Sequence, residues 1–248
     1  MIIEHEKGEI HMTHIHIPDG ILPVWLWVSG FLLMSVFLAL SMFRLRTADM
    51  KKKIPLLGAL AAVMLVAMSL EILPIAYHLN LSVAAGILLG PSLGFMAAFI
   101  VNLMLAFVGH GGITVVGLNT LLLGAEALLG HTLFYLLRKG LSIFWGAALS
   151  TVLSLCIVTL LLIGIVGVSH VDADLFAHHH EHEGRVTEQT HEHHDEPGRS
   201  SLRTFAMIVL SLGSIGWIIE GAVTGAVIQF ISKVKPDLLA HGLDKEQK

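Results

Sequence analysis

The sequence predicts an all-α integral membrane protein of about seven transmembrane helices, with its N-terminus outside and inserted into the bundle and its C-terminus cytoplasmic. Three observations carry that expectation. Of the 248 residues, 54% are apolar and only 14% charged, whereas soluble domains hold about 25% charged. The charges sit in short clusters, leaving apolar runs near the roughly 20 residues that a helix needs to cross about 30 Å of hydrocarbon. The basic clusters also fall at every second crossing, which sets the orientation.

Residues 1–20 form a polar leader, with no small-residue cleavage site after the apolar run that follows it. Residues 21–168 hold spans one to six, at 23–43, 54–77, 81–108, 115–137 and 141–168. The run 81–108 counts twice because Gly90-Pro91 interrupts it: proline lacks a backbone donor and disfavours helix at the residue before it. With that break, Arg44, Arg46 and Lys51–Lys53, then Arg138-Lys139, then Lys233 and Lys235 all fall on one side. Without it the last two groups move to the opposite side, so the positive-inside rule selects seven spans. Residues 169–203 are expected to form an external, disordered loop rich in histidine and acids. Residues 204–232 make the last span, and 233–248 a cytoplasmic tail.

In this topology fourteen of the sixteen histidines face outward. Four are in the leader, His78 and His110 lie at outer helix ends, and eight crowd the loop: His170, His178, His179, His180, His182, His191, His193 and His194. Interleaved acids and irregular spacing make the loop a loose collector of transition metal without fixed geometry. Deeper in the membrane, Glu71, Asn102, Asn119, Glu126, His131 and Glu220 are the polar groups within spans. Intramembrane ionisable groups mark either function or hydrogen bonds between helices. For these six the helix–helix role is the expected one. Glu126 and His131 are five residues apart, on different faces of one helix, and do not suit a shared site.

Several classes are excluded. No basic face exists to neutralise phosphates, so nucleic acid is not a partner. Cys156 is the single cysteine and cannot form a disulfide within the chain. The chain contains no H-E-x-x-H helix, no Gly-x-Ser-x-Gly elbow and no Gly-x-x-x-x-Gly-Lys-Ser/Thr loop. It is therefore not expected to be an enzyme, nor to hydrolyse ATP itself.

The segment His16-Ile17-Pro18-Asp19-Gly20-Ile21-Leu22-Pro23 resembles the opening of the CbiM/NikM family, substrate-binding membrane components of energy-coupling-factor cobalt and nickel importers. His78 ahead of Ala84-Ala85-Gly86-Ile87-Leu88-Leu89-Gly90-Pro91 is similar to that family's second histidine and the break after it. Gly109-His110-Gly111-Gly112-Ile113-Thr114 through Gly117-Leu118-Asn119 resembles a family segment that carries aspartate where His110 stands. The resemblance covers residues 14–137 well and the last two spans only in general pattern. It implies a substrate-binding subunit for Co2+ or Ni2+ as transported ligand, with Co2+ destined for cobalamin synthesis. The implied partners are a T-type transmembrane scaffold subunit, ABC ATPase subunits and a small auxiliary membrane subunit, all within membrane lipid.

The metal ligands implied are His78 and one of His14 and His16, with His110 as a secondary group. In the family the first histidine follows a free α-amine, yet fifteen residues precede His16 here. A start at Met12, trimmed to Thr13, would place an amine beside His14. A start at Met1 would leave a site built from His14, His16, His78 and His110. Both registers stay open, as does the choice between cobalt and nickel. The alternative reading is a secondary carrier for divalent transition metals. Such carriers gather their acidic and histidine ligands near the midplane, whereas the intramembrane carboxylates here are scattered along the chain.

Overall fold

The computed structural model describes residues 23–45, 47–69, 78–109, 112–168 and 197–240, and all regular structure among them is helical. The helices are α1 (Val24–Arg44), α2 (Thr47–Ser69), α3 (Ser82–Leu89), α4 (Pro91–Val108), α5 (Val116–Leu137), α6 (Ile143–Val168), α7 (Pro197–Val234) and α8 (Asp237–Ala240). Five of them, α1, α4, α5, α6 and the Val209–Val234 part of α7, are long and apolar enough to cross a membrane. The protein is thus a multi-pass membrane protein. The apolar part of α2, Lys53–Ser69, is one residue short of that length, and the predicted end of this span at 70–77 lies outside the described residues.

The run 81–108 is interrupted where proline and glycine predict. Gly90 has φ 86°, a left-sided conformation that costs a residue without Cβ little. Pro91 then opens α4, where its missing N–H is no loss. The consequence is a helix of only 8 residues, about 12 Å long, which does not cross a bilayer by itself. Instead α3 is a half-helix sunk in protein: all eight of its side chains are buried, against α2, α4 and α5.

Close approach is what buries it. A Cβ on Gly86 would come within 2.1 Å of the Ala127 carbonyl oxygen on α5, so only glycine lets these backbones meet. The stretch Gly58-Ala59-Leu60-Ala61-Ala62 also has small residues, but Gly58 has nothing within 4 Å of its Cβ position and serves no such contact. Helix α5 is the hub, packing against α1, α3, α4 and α6, while α7 lies along α6.

Two boundaries differ from expectation. The last helix is already formed at Pro197, six residues before the predicted end of the external loop at 203. Proline ends helices but also starts them, because the first turn has no use for its donor. The expected tail at 233–248 is helical to Val234 and then turns back into α8, whose Leu239 is buried in one cluster with Val83, Ala84, Ile87 and Phe134.

That fold-back gathers the basic residues. Lys53, Lys235 and Asp237 line one cavity of about 440 Å³, and Lys53 Nζ donates to the Leu89 carbonyl at the end of α3 (3.2 Å). Arg138 lies over the Tyr135 ring, 5.4 Å from its centroid, and the Tyr135 hydroxyl donates to the Leu239 carbonyl (3.2 Å). The three basic groups that the sequence reading placed on one side therefore share one end of the bundle.

Candidate metal site

His78 opens a stretch of irregular backbone, residues 78–81, ahead of α3. Its side chain is 7% exposed. Non-helical backbone is tolerated at membrane depth only where it is buried in protein and its polar groups are re-satisfied. Here the satisfaction comes from side chains. The Ser82 amide donates to Asn80 Oδ1 (3.2 Å) and also bonds the Asn80 carbonyl, folding the chain tightly into the start of α3.

The other half of the arrangement comes from α5. Glu126, 2% exposed, is the eleventh residue of that 22-residue helix, about 15 Å from its start and so halfway along. Its Oε2 accepts hydrogen bonds from Asn80 Nδ2 and from Ser82 Oγ (2.6 Å). A carboxylate halfway along a spanning helix is thus held by two neutral donors flanking the entry to α3. The sequence reading assigned Glu126 a helix–helix hydrogen bond, which it makes, but did not single out Asn80 or Ser82. Their signal is modest: two polar residues at i and i+2, immediately before an apolar helix of small residues.

His131, five residues further along α5, also turns out to tie helices together. Its Nδ1 donates to the Gly86 carbonyl on α3 (3.0 Å), and its ring lies 4.6 Å from Tyr135. Glu126 thus meets the first residue of α3 and His131 its fifth, so the two act at different points along it. Glu220 is wholly buried on α7 and Asn102 nearly so on α4. Asn119 is buried near the start of α5. Glu71 lies outside the described residues.

Of the expected metal ligands, His78 is placed, and His14, His16 and His110 lie outside the described residues, as do all eight loop histidines. Among the described residues no three His, Cys, Asp or Glu side chains come together as a metal-binding group. What is on view is one buried imidazole on a braced, irregular turn in a helical membrane bundle. An imidazole so placed offers a nitrogen ligand of the kind that suits nickel, cobalt, copper and zinc.

A family model described as "cobalt uptake substrate-specific transmembrane region" matches residues 16–238. A protein of Haloquadratum walsbyi named for metal transport is 32% identical over 235 residues, spanning 91% of this chain and 93% of its own length. A crystal structure titled as a transition metal transporter aligns with a TM-score of 0.68 at 18% identity, covering 94% of this chain and 100% of that one. A truncated transition metal transporter gives 0.69 at 18% identity, over 88% and 99%. At that identity the two structures speak for the fold alone.

Proposed function

The chain belongs to the cobalt-uptake substrate-specific transmembrane family, and from that membership we propose that it is the substrate-binding component of an ATP-driven importer for Co2+ or Ni2+. It is a metal-uptake membrane component and not an enzyme in the usual sense. In the proposed reading the leader folds into the outer mouth of the bundle. One of His14 and His16 joins His78 to take the ion from water, with His110 as a further imidazole. A T-type scaffold subunit, driven by ABC ATPase subunits and accompanied by a small auxiliary membrane subunit, then opens the site inward. The 169–203 histidines raise the local metal concentration without fixing a geometry.

The observation that carries this reading is His78, an imidazole buried on irregular backbone directly before a half-helix. Irregular backbone at membrane depth is kept where it is buried in protein or lines a site. The shared end of Lys53, Arg138 and Lys235 supports a cytoplasmic location for that end and an outward-facing His78 turn. Cysteine at Thr190 should react with an impermeant maleimide in intact cells and cysteine at Lys52 should not; the reverse pattern would invert the protein.

Transport itself is the test. Proteoliposomes holding the chain with its scaffold and ATPase subunits should take up Co2+ or Ni2+ only when ATP is supplied on the cytoplasmic face. Uptake by the chain alone, driven by a proton gradient, would make it a secondary carrier. Within the leader, loss of tight binding on His14→Ala but not His16→Ala would place the amine-bearing register at Thr13. The converse would leave His16 as the ligand.

A further inference from the structure

We infer that Glu126 is a positioning residue for the metal site: from the middle of α5 its carboxylate clamps the 78–82 turn through Asn80 and Ser82 and thereby sets where the His78 ring stands. The inference rests on the reading of His78 as a metal ligand.

Three observations carry it. First, the clamp is made at one oxygen. Glu126 Oε2 accepts from both Asn80 Nδ2 and Ser82 Oγ, so a single atom ties the last irregular residues to the first helical one. Second, the tie is short along the chain. Asn80 is two residues from His78, a reach of at most about 7 Å of extended backbone, and Leu79 between them lies in no helix. Third, all the participants are buried: Glu126 at 2%, Asn80 at 9%, Ser82 at 1% and His78 at 7% exposure. Deleting the carboxylate therefore takes from both buried donors the acceptor they have among the described residues.

A fold-stabilising role alone would be met more simply by apolar packing, as on the rest of α3. Around Glu126, Ala127 and Phe134 already supply that packing against Gly86 and the α3 side chains. What the carboxylate adds is direction. Two hydrogen bonds to one oxygen fix the rotation of the turn about the chain axis, which apolar contacts leave loose. Residues that orient a ligand without touching the metal commonly change affinity by 10–100-fold when removed. The role does not call for charge, because the amide oxygen of glutamine can accept from the same two donors.

The test uses the purified full-length chain in detergent, titrated with Ni(II) and with Co(II) alone. Glu126→Leu keeps the side-chain bulk and removes the acceptor. It should weaken metal binding about tenfold or more and alter the ligand-field absorption of bound Co(II), while Glu126→Gln should restore both toward the parent. The paired variant Asn80→Ala with Ser82→Ala removes the donors instead, so it reads the same clamp should Glu126→Leu fail to fold. Parent-like affinity and an unchanged Co(II) spectrum in either folded variant would overturn the inference. His78→Ala, run alongside, separates the two readings. Its loss of binding together with an indifferent Glu126→Leu sinks the positioning role alone. Parent-like binding by His78→Ala sinks the metal-site reading, and the positioning role with it.

Discussion

Helices α1 and α3 are both built from apolar residues, yet they live in different surroundings. Of the 21 residues of α1, only Leu26, Gly30, Met34 and Ser41 are buried, and Leu32, Leu33, Val36 and Leu40 look outward. That is one narrow stripe against α4 and α5, with the remaining face left for lipid. In α3 all eight residues are buried and none is aromatic. The contrast shows what apolar character means in a bilayer. Since lipid is as apolar as leucine, helices associate through close packing and polar contacts and not through hydrophobicity. Helix α1 is long enough to span and needs little from its neighbours. Helix α3 is too short to span and is held by glycine contact, by the Glu126 clamp and by His131.

The comparison breaks first at Gly86. Gly86→Ala places a methyl group 2.1 Å from the Ala127 carbonyl oxygen, a backbone atom that cannot swing away. Overpacking of this kind costs about 3 kcal/mol or more, and the variant should lose its thermal transition in detergent or show it at a much lower temperature. A parent-like transition would mean that α3 is not seated as tightly as described. A smaller loss is expected for His131→Ala, which removes the bond to the Gly86 carbonyl. Hydrogen bonds between membrane helices contribute about 0.6 kcal/mol on average, so a modest lowering of the same transition is the expected outcome. On the lipid face, Leu32→Ala should change stability hardly at all, because Leu32 is 65% exposed. Gly58→Ala, with nothing near its Cβ position, should be neutral or slightly stabilising, since alanine is the better helix former by about 1 kcal/mol. A marked loss at either position would mean that these faces meet a partner and not lipid.

A further expectation concerns the histidine-rich segment. Deleting residues 176–195 should leave tight metal binding nearly intact and slow uptake only at low external metal, because an unfixed set of ligands raises local concentration without setting geometry. Loss of stoichiometric tight binding on deletion, measured by titration, would move the selective site into that segment.

The contrast also marks how far the sequence could be read. The break at Gly90-Pro91 was legible because glycine and proline act locally, through their own backbone. The shared end of Lys53, Arg138 and Lys235 was legible because membrane orientation sorts charge by side. The clamp was not, because Glu126 lies 46 and 44 residues from its donors Asn80 and Ser82, and no spacing rule links residues on separate helices. Gly58 and Gly86 sit in similar small-residue runs, and only the neighbour's backbone distinguishes an open position from a tight one. The start of α7 was placed late because Pro197 followed by glycine reads as loop, while proline serves equally as a first helical residue. His78 itself was singled out through family resemblance and its place at a helix end. Its burial, and the brace behind it, came from the fold.

The central claim is that the braced turn before α3 presents His78 to the transported metal, and one titration tests it most directly. Purified His78→Ala, shown to be folded by an unchanged thermal transition without metal, is titrated calorimetrically with Co(II) and with Ni(II) beside the parent. The account predicts stoichiometric tight binding by the parent and its loss in the variant for both metals. Tight, stoichiometric binding retained by folded His78→Ala would contradict it.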